Sequence, residues 1–294
     1  MRYGVILPNF GPQASVEELV ATARQAERLG YHSVWTTDHL ILPRADSEVY
    51  GRIFEALMTL AYLAAATEHI RLGVSSLVLP QRDPVLAAKQ VAALDCLSGG
   101  RAMLCVGVGW SAGEYANLGQ RFPDRGRRLD EAILLLRLLW GTDDPAGLTF
   151  AGEFYSLREA AFAPLPIQGS GLPIWIGGNS PAAIRRAAQL GDGWHPTRLP
   201  VTDFGRGVDR LRAHTAGRPV TVSLRLRVAR DAADSPGALT GSPARMTDQL
   251  RSYTRAGLEY ALLAFEAPQP AARMEAMARF MDEIASGIPA SPGP

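Results

Sequence analysis

Residues Ala102-Met103-Leu104-Cys105-Val106-Gly107-Val108-Gly109-Trp110 and Leu172-Pro173-Ile174-Trp175-Ile176-Gly177-Gly178-Asn179-Ser180-Pro181 follow one pattern, a short apolar strand running straight into small or amide residues. A strand that is apolar at every position is covered on both faces, as in a parallel sheet flanked by helices. In the second stretch a helix begins at once, with Ser180 or Asn179 at the cap and Pro181 at the first helical position. Bare N–H groups and the positive end of the helix dipole then meet at the glycine turn, which favours an anion. Glycines in such turns also serve simply to let helix and strand pack closely. Two such turns in one βα chain tip the reading toward a phosphate held at both.

The pattern repeats along the chain. Strands are expected at 3–7, 33–36, 70–77, 102–107, 174–176, 193–195, 220–228 and 260–265, the sixth being the weakest. Helical patterns follow at 16–29, 54–67, from Asp83-Pro84 onward, and at 127–140, 181–190 and 203–213. Eight strand-then-helix units make an α/β chain of the (β/α)8 TIM-barrel class, one domain over residues 1–288, with a doubly wound sheet as the fallback. Residues 142–172 fit neither helix nor linker. Within them, 148–150 and 153–156 around Ala151-Gly152 read as a small inserted hairpin, expected at the N-terminal face of the barrel and away from chemistry. Residues 289–294, rich in Pro, Ser and Gly, read as a disordered tail.

Bulk composition narrows the function. With 30 basic and 29 acidic residues and no basic run, the chain has neither a nucleic-acid stripe nor an anchor for an anionic membrane, and a small-molecule substrate is expected. Its apolar stretches end well short of the ~20 residues of a membrane span. Met1-Arg2-Tyr3 passes directly into a strand, so a cytoplasmic location is expected. Cys96 and Cys105 are isolated and read as small core residues in a reducing compartment.

Barrel chemistry gathers where the strands end: Asn9 and Phe10, Thr37-Asp38-His39, Ser75-Ser76, Gly107 to Ser111, Gly177 to Asn179, and Trp194-His195. Among these there is no His-x-His or His-Glu-x-x-His, no Gly-x-Ser-x-Gly elbow and no Gly-x-x-x-x-Gly-Lys-Ser/Thr loop. No metal site is expected. What remains is a barrel that holds a phosphorylated cofactor.

Several stretches carry a family resemblance: Ser33-Val-Trp-Thr-Thr-Asp-His39, Ile70-Arg-Leu-Gly-Val-Ser-Ser-Leu-Val-Leu-Pro80, Leu97-Ser-Gly-Gly-Arg101 leading into Gly107-Val-Gly-Trp110, and Ile174 to Pro181 continuing to Leu190-Gly-Asp-Gly-Trp194. On these the chain resembles the luciferase-like monooxygenase superfamily, specifically its coenzyme F420-dependent oxidoreductase branch. The resemblance implies a bulge with a non-prolyl cis peptide at Ser75–Ser76 behind the cofactor ring. It implies phosphate contacts from Gly107, Gly109, Trp110 and Ser111 and from Gly177, Gly178 and Asn179. It also sets Asp38 and His39 against ring and substrate, with His39 the candidate for proton transfer. From the residues alone, a His39 bonded to Asp38 as a loop cap is a competing reading.

Two departures count against a sugar-phosphate substrate. Ala112 stands where the sugar-phosphate dehydrogenases of the family carry a glutamate, and the tryptophan they have after Asp-His is absent. Glu114, two residues further on, reads as structural. Arg225 and Arg227 face one side of their strand, where one could reach an anionic cofactor tail or both could serve in salt bridges. The loops at 40–53 and 229–241 are the natural substrate walls. The expected activity is hydride transfer between coenzyme F420 and a small organic substrate. Alternatives are an FMN-dependent monooxygenase using reduced flavin and O2, and a flavin- or deazaflavin-binding barrel without catalysis. A homodimer and a separate cofactor reductase are the partners the resemblance implies.

Overall fold

A computed structural model describes residues 1–141, 146–267 and 269–288. In chain order it contains β1 (Arg2–Ile6), α1 (Val16–Arg28), β2 (Ser33–Thr36), α2 (Ser47–Tyr50), α3 (Ala56–Ala64), β3 (Arg71–Val78), α4 (Pro84–Leu97) and β4 (Ala102–Gly107). These are followed by α5 (Ala112–Asn117), α6 (Arg125–Gly141), β5 (Leu148–Ala151), β6 (Ser156–Ala160), β7 (Ile174–Gly177), α7 (Pro181–Leu190) and β8 (Gly193–His195). Then come α8 (Val201–His214), β9 (Thr221–Val228), β10 (Ala238–Leu239), α9 (Pro243–Arg255), β11 (Tyr260–Phe265) and α10 (Pro270–Arg279). The strand order β1-β2-β3-β4-β7-β8-β9-β11 returns to β1, so the sheet is a closed eight-stranded parallel barrel, and β10 adds two residues beside β9. The doubly wound fallback is thereby excluded. The tail read at 289–294 lies outside the described residues. Among the described residues no helix is long and apolar enough to cross a membrane.

The chain divides into two units. The first comprises Met1–Leu7, Val16–Trp35 and Trp175–Pro294. Its interior is aromatic: Trp35 stacks on Trp175 at 5.2 Å, and Tyr260 meets Trp175 edge-on at 5.0 Å. Trp35 Nε1 donates to Ser33 Oγ at 2.6 Å, which satisfies a buried indole N–H. Gly4, opposite Ser33 in the β1–β2 register, makes the room, since a Cβ there would stand 2.5 Å from Ser33 Oγ. Ser180 caps α7 by accepting from Ala183 N at 3.2 Å, with Pro181 next. At the other end of α7, Arg218 Nη2 donates to the carbonyls of Ala187, Ala188 and Gly191, a cation placed where the helix dipole is negative.

The second unit comprises Pro8–Ser15 and Thr36–Ile174. Asp83 caps α4 through Leu86 N at 2.8 Å, and α6 buries Leu129, Ile133, Leu136, Leu139 and Trp140. Arg101 donates to the carbonyls of Ala64, Thr67 and Ile70, so the Leu97 to Arg101 stretch is structural: it ties the end of α3 to the start of β3.

The inserted hairpin is present as antiparallel β5 and β6, but its second strand begins at Ser156 instead of 153. The cause is Glu131, whose carboxylate collects the N–H groups of Glu153, Phe154 and Tyr155 and holds them as a loop. Arg128 and Arg127 sit over the Phe154 ring at 4.5 and 5.2 Å. These three partners belong to the first turns of α6, which follows the rim segment after β4. The hairpin tip therefore reaches back toward the C-terminal rim, a correction to its expected place at the N-terminal face.

Candidate active site

In the second unit the ends of β3 and β4 meet. The β3–β4 register slips between Val74 and Leu77, and the Ser75–Ser76 peptide is cis. Ser75 is buried, and Ser76 Oγ lies 3.1 Å from Cys105 Sγ. Burial pushes that thiol up to about 12 against the Ser76 contact, so Cys105 stays protonated as a core residue. Across from this bulge, a Cβ on Gly107 would come within 3.3 Å of Ser76 Cβ. Gly109 has φ +67°, and a Cβ there would stand 2.7 Å from Val78 Cγ1, so both backbone conformation and packing demand glycine. Ser111 then caps α5, its Oγ accepting from Glu114 N at 3.1 Å. The N–H groups of Trp110 and Ser111 make no hydrogen bond to the described residues.

Two acid–base pairs stand beside these turns. His39 Nδ1 lies 3.0 Å from Glu114 Oε2, and Gln81 Nε2 donates to the same oxygen at 3.2 Å. Glu114 Oε1 accepts the N–H groups of Leu40 at 2.7 Å and Ile41 at 3.2 Å. Burial pushes the Glu114 carboxyl up, but the bonds from His39, Leu40 and Gln81 outweigh it and hold the group down to about 2. A carboxylate so held accepts from Nδ1–H of His39. Its Nε2 then has no hydrogen-bond partner among the described residues.

Asp38 is occupied differently: Oδ1 accepts from Arg82 at 2.7 Å, Oδ2 from Val78 N at 2.9 Å, and its side chain is 0% exposed. It ties the end of β2 to the end of β3. The cap reading of a His39–Asp38 bond does not hold. Asn9 is likewise structural, its amide spanning Thr37 N, Thr37 O and Phe54 O.

In the first unit, Gly178 N–H donates to His195 O at 3.2 Å, and the Asn179 side chain closes on the backbone of Thr197 in both directions, at 2.8 and 3.0 Å. The N–H groups of Asn179 and Ser180 have no hydrogen bond to the described residues. Trp194 is core, stacked on Phe204 with Nε1 on the Gly178 carbonyl. His195 Nδ1 lies 2.9 Å from Ser223 Oγ, and burial with nearby Arg225 pushes the imidazole down to about 3, so it is neutral. Arg227 is in an ion pair with Glu266.

The sequence expectation named Ser75, Ser76, Gly107, Gly109, Trp110, Ser111, Asp38 and His39, which lie in the second unit, together with Gly177, Gly178 and Asn179, which lie in the first. It missed Glu114, Gln81, Arg82 and Tyr50. A local signal for Glu114 existed, since Ser111-x-x-Glu114 is a capping-box spacing. Among the described residues no group of three or more His, Cys, Asp or Glu could hold a metal ion.

Residues 1–236 match the family model described as luciferase-like monooxygenase. The F420-dependent glucose-6-phosphate dehydrogenase of Kineococcus radiotolerans is 31% identical over 284 residues, covering 88% of this chain and 80% of that one. The oxygenase component of the flavin-dependent trigonelline monooxygenase of Acinetobacter baylyi is 28% identical over 200 residues, 67% of this chain and 52% of that one, so about half of that relative is spanned. Among solved structures, an F420-dependent secondary alcohol dehydrogenase in complex with an F420-acetone adduct is similar with a TM-score of 0.83 over 98% of this chain and 99% of that one, at 16% identity, a likeness of fold.

Proposed function

The chain belongs to the luciferase-like monooxygenase family, and from that premise we propose that it is an oxidoreductase that exchanges a hydride between coenzyme F420 and a small organic substrate. The observation that carries the reading is His39, fixed by Glu114 at Nδ1 and open at Nε2, in the same unit as the β4 end, where the Trp110 and Ser111 N–H groups make no hydrogen bond to the described residues. These residues suit the cofactor. Trp110 and Ser111 N–H, kept accessible by Gly107 and Gly109, would hold its anionic tail at the start of α5, and the Ser75–Ser76 bulge would back its ring. The Gly177, Gly178 and Asn179 turn is proposed on its own account as a phosphate-holding turn, through the N–H of Asn179 and Ser180.

When bound, the deazaflavin supplies two-electron hydride chemistry. The protein handles the proton: with that group bound to accept the hydride, Nε2 of His39 would take the hydroxyl proton of a substrate alcohol, and the imidazolium formed would be balanced by the Glu114 carboxylate. In the reverse direction the same atom returns the proton. Asp38, enclosed by Arg82 and Val78 N–H, positions this segment without touching the substrate.

The test is titration of the purified chain with F420 and with FMN, followed by turnover with each. Low-micromolar F420 binding, with hydride transfer lost in His39→Ala while affinity is retained, is the expected result. The Acinetobacter baylyi relative favours a second reading, reduced FMN with O2, which tight FMN binding and substrate-dependent O2 uptake would support instead. Binding without turnover of either would make the chain a cofactor-binding barrel. A homodimer and a separate reductase go with the proposal; sedimentation of the purified chain tests the first.

A further inference from the structure

The rings of Phe10, His39, Tyr50 and Trp110, from four separate segments, form one cluster. Tyr50 lies 4.9 Å from His39 and 4.9 Å from Phe10, and Trp110 meets His39 edge-on at 5.6 Å. Tyr50 is carried by α2 in the loop at 40–53, and that loop is fastened at several points. Phe10 bridges Ile53, Gly11 N–H donates to Arg52 O at 2.9 Å, and Asp46 Oδ2 lies 3.5 Å from Ser111 Oγ. Gly113 leaves room for Pro43, whose ring a Cβ there would strike. Tyr50 is therefore a built wall.

Trp110 is 56% exposed, whereas the other four tryptophans are at most 3% exposed. Its indole, edge-on to the His39 ring, is an apolar face left open. Glu114 accepts from the His39 side with its oxygens taken, and the cation–π contacts among the described residues stand at Phe122, Phe154 and Phe162, none at these four rings.

We infer that the substrate is a flat, uncharged, mainly apolar molecule carrying one hydroxyl or carbonyl oxygen, with Tyr50 and Trp110 as the residues that select it. The inference rests on the redox reading of the same site. A planar ring suits offset or edge contact with such walls, and its oxygen would meet Nε2. A sugar phosphate would set its many hydroxyl groups against apolar ring faces.

Calorimetric titration with 1-naphthol, 1-naphthyl phosphate and glucose 6-phosphate tests this, because it needs neither cofactor nor turnover. Naphthol should bind at least about tenfold more tightly than its phosphate ester, and glucose 6-phosphate should give no binding heat. Tyr50→Ala should weaken naphthol about tenfold and Tyr50→Phe by no more than about twofold, the ring being what matters. Trp110→Ala, at an exposed ring, should weaken it similarly without lowering Tm, and so serves if Tyr50→Ala fails to fold. Glucose 6-phosphate binding more tightly than naphthol, or unchanged naphthol affinity in the two alanine variants, would overturn the inference. The redox reading fails separately: a chain that binds naphthol as expected but neither F420 nor FMN keeps this inference and loses that one.

Discussion

His39 Nδ1 stands 3.0 Å from Glu114 Oε2 with both side chains buried, at 7% and 1% exposure, so the imidazole tautomer is set by a residue 75 positions away. Glu114, held at about 2, is a carboxylate at any working pH. Glu114→Gln keeps the shape and removes the charge that balances an imidazolium. The expected outcome is a kcat lower by about 100-fold, an almost unchanged cofactor Kd, and a displaced pH–rate profile. A merely structural Glu114 would lower Tm and leave that profile where it was.

Acid should unfold the protein in two stages with known signs. His195 is pushed down to about 3 from 6.5, so between those values the unfolded chain binds more protons and stability falls as pH drops. Glu114, lowered from 4.5 to about 2, acts in the same direction over that lower window. Urea midpoints measured at pH 7, 5.5 and 4 should therefore decline from about pH 6.5 downward. His195→Gln, which cannot take up a proton, should flatten the portion between 6.5 and 4.5, and Glu114→Gln should make the decline below 4.5 shallower, since His195 still contributes there. A midpoint that stays level from pH 7 to pH 4 in the wild-type chain would contradict both assignments.

The barrel was legible because its signals are local: apolar runs of four to eight residues, caps such as Asp83 and Ser180, and glycines at strand ends each act within a few residues. The His39 pairing was not legible because it joins segments far apart in the chain. Asp38 is adjacent to His39 and chemically suitable, yet its carboxylate is consumed by Arg82 and Val78 N–H, contacts set by how β2 meets β3. Glu114 carried a capping-box spacing that explains only half of its behaviour. Its N–H does bond to Ser111, while its carboxylate turns away to Leu40, Ile41, Gln81 and His39. The hairpin erred for the same reason, since Glu131 on another element decides where β6 can start.

Asp38 is expected to matter for folding first. Its side chain and that of Arg82 are 0% and 9% exposed, and Arg82 has a second partner in Glu55 at 3.1 Å. Asp38→Asn leaves a buried guanidinium with Glu55 as its one remaining charged partner among these contacts, which should cost about 3 kcal/mol in denaturant unfolding. Adding Arg82→Met should restore part of the loss, since an apolar replacement removes the uncompensated charge. If Asp38→Asn were as stable as wild type but inactive, Asp38 would belong to the chemistry and its positioning role would be wrong.

Gly109 and Ser111 separate backbone from side chain in anion binding. Gly109→Ala places a Cβ 2.7 Å from Val78 Cγ1 at a φ of +67°, so Val78 must move or the turn must open. Val78 N–H is also the donor to Asp38, and a shift there spreads to the end of β2. The expected cost is about 1–3 kcal/mol of stability, with cofactor Kd raised about tenfold because the Trp110 and Ser111 N–H groups are re-aimed. Ser111→Ala removes only the hydroxyl that caps α5 and should cost about 1 kcal/mol, leaving cofactor Kd within about twofold. Ser111→Pro deletes the N–H itself at a φ of −85°, near what proline accepts, and should weaken the cofactor as Gly109→Ala does. The reverse order, with Ser111→Ala abolishing binding and Ser111→Pro tolerated, would mean that the hydroxyl and not the peptide turn grips the anion.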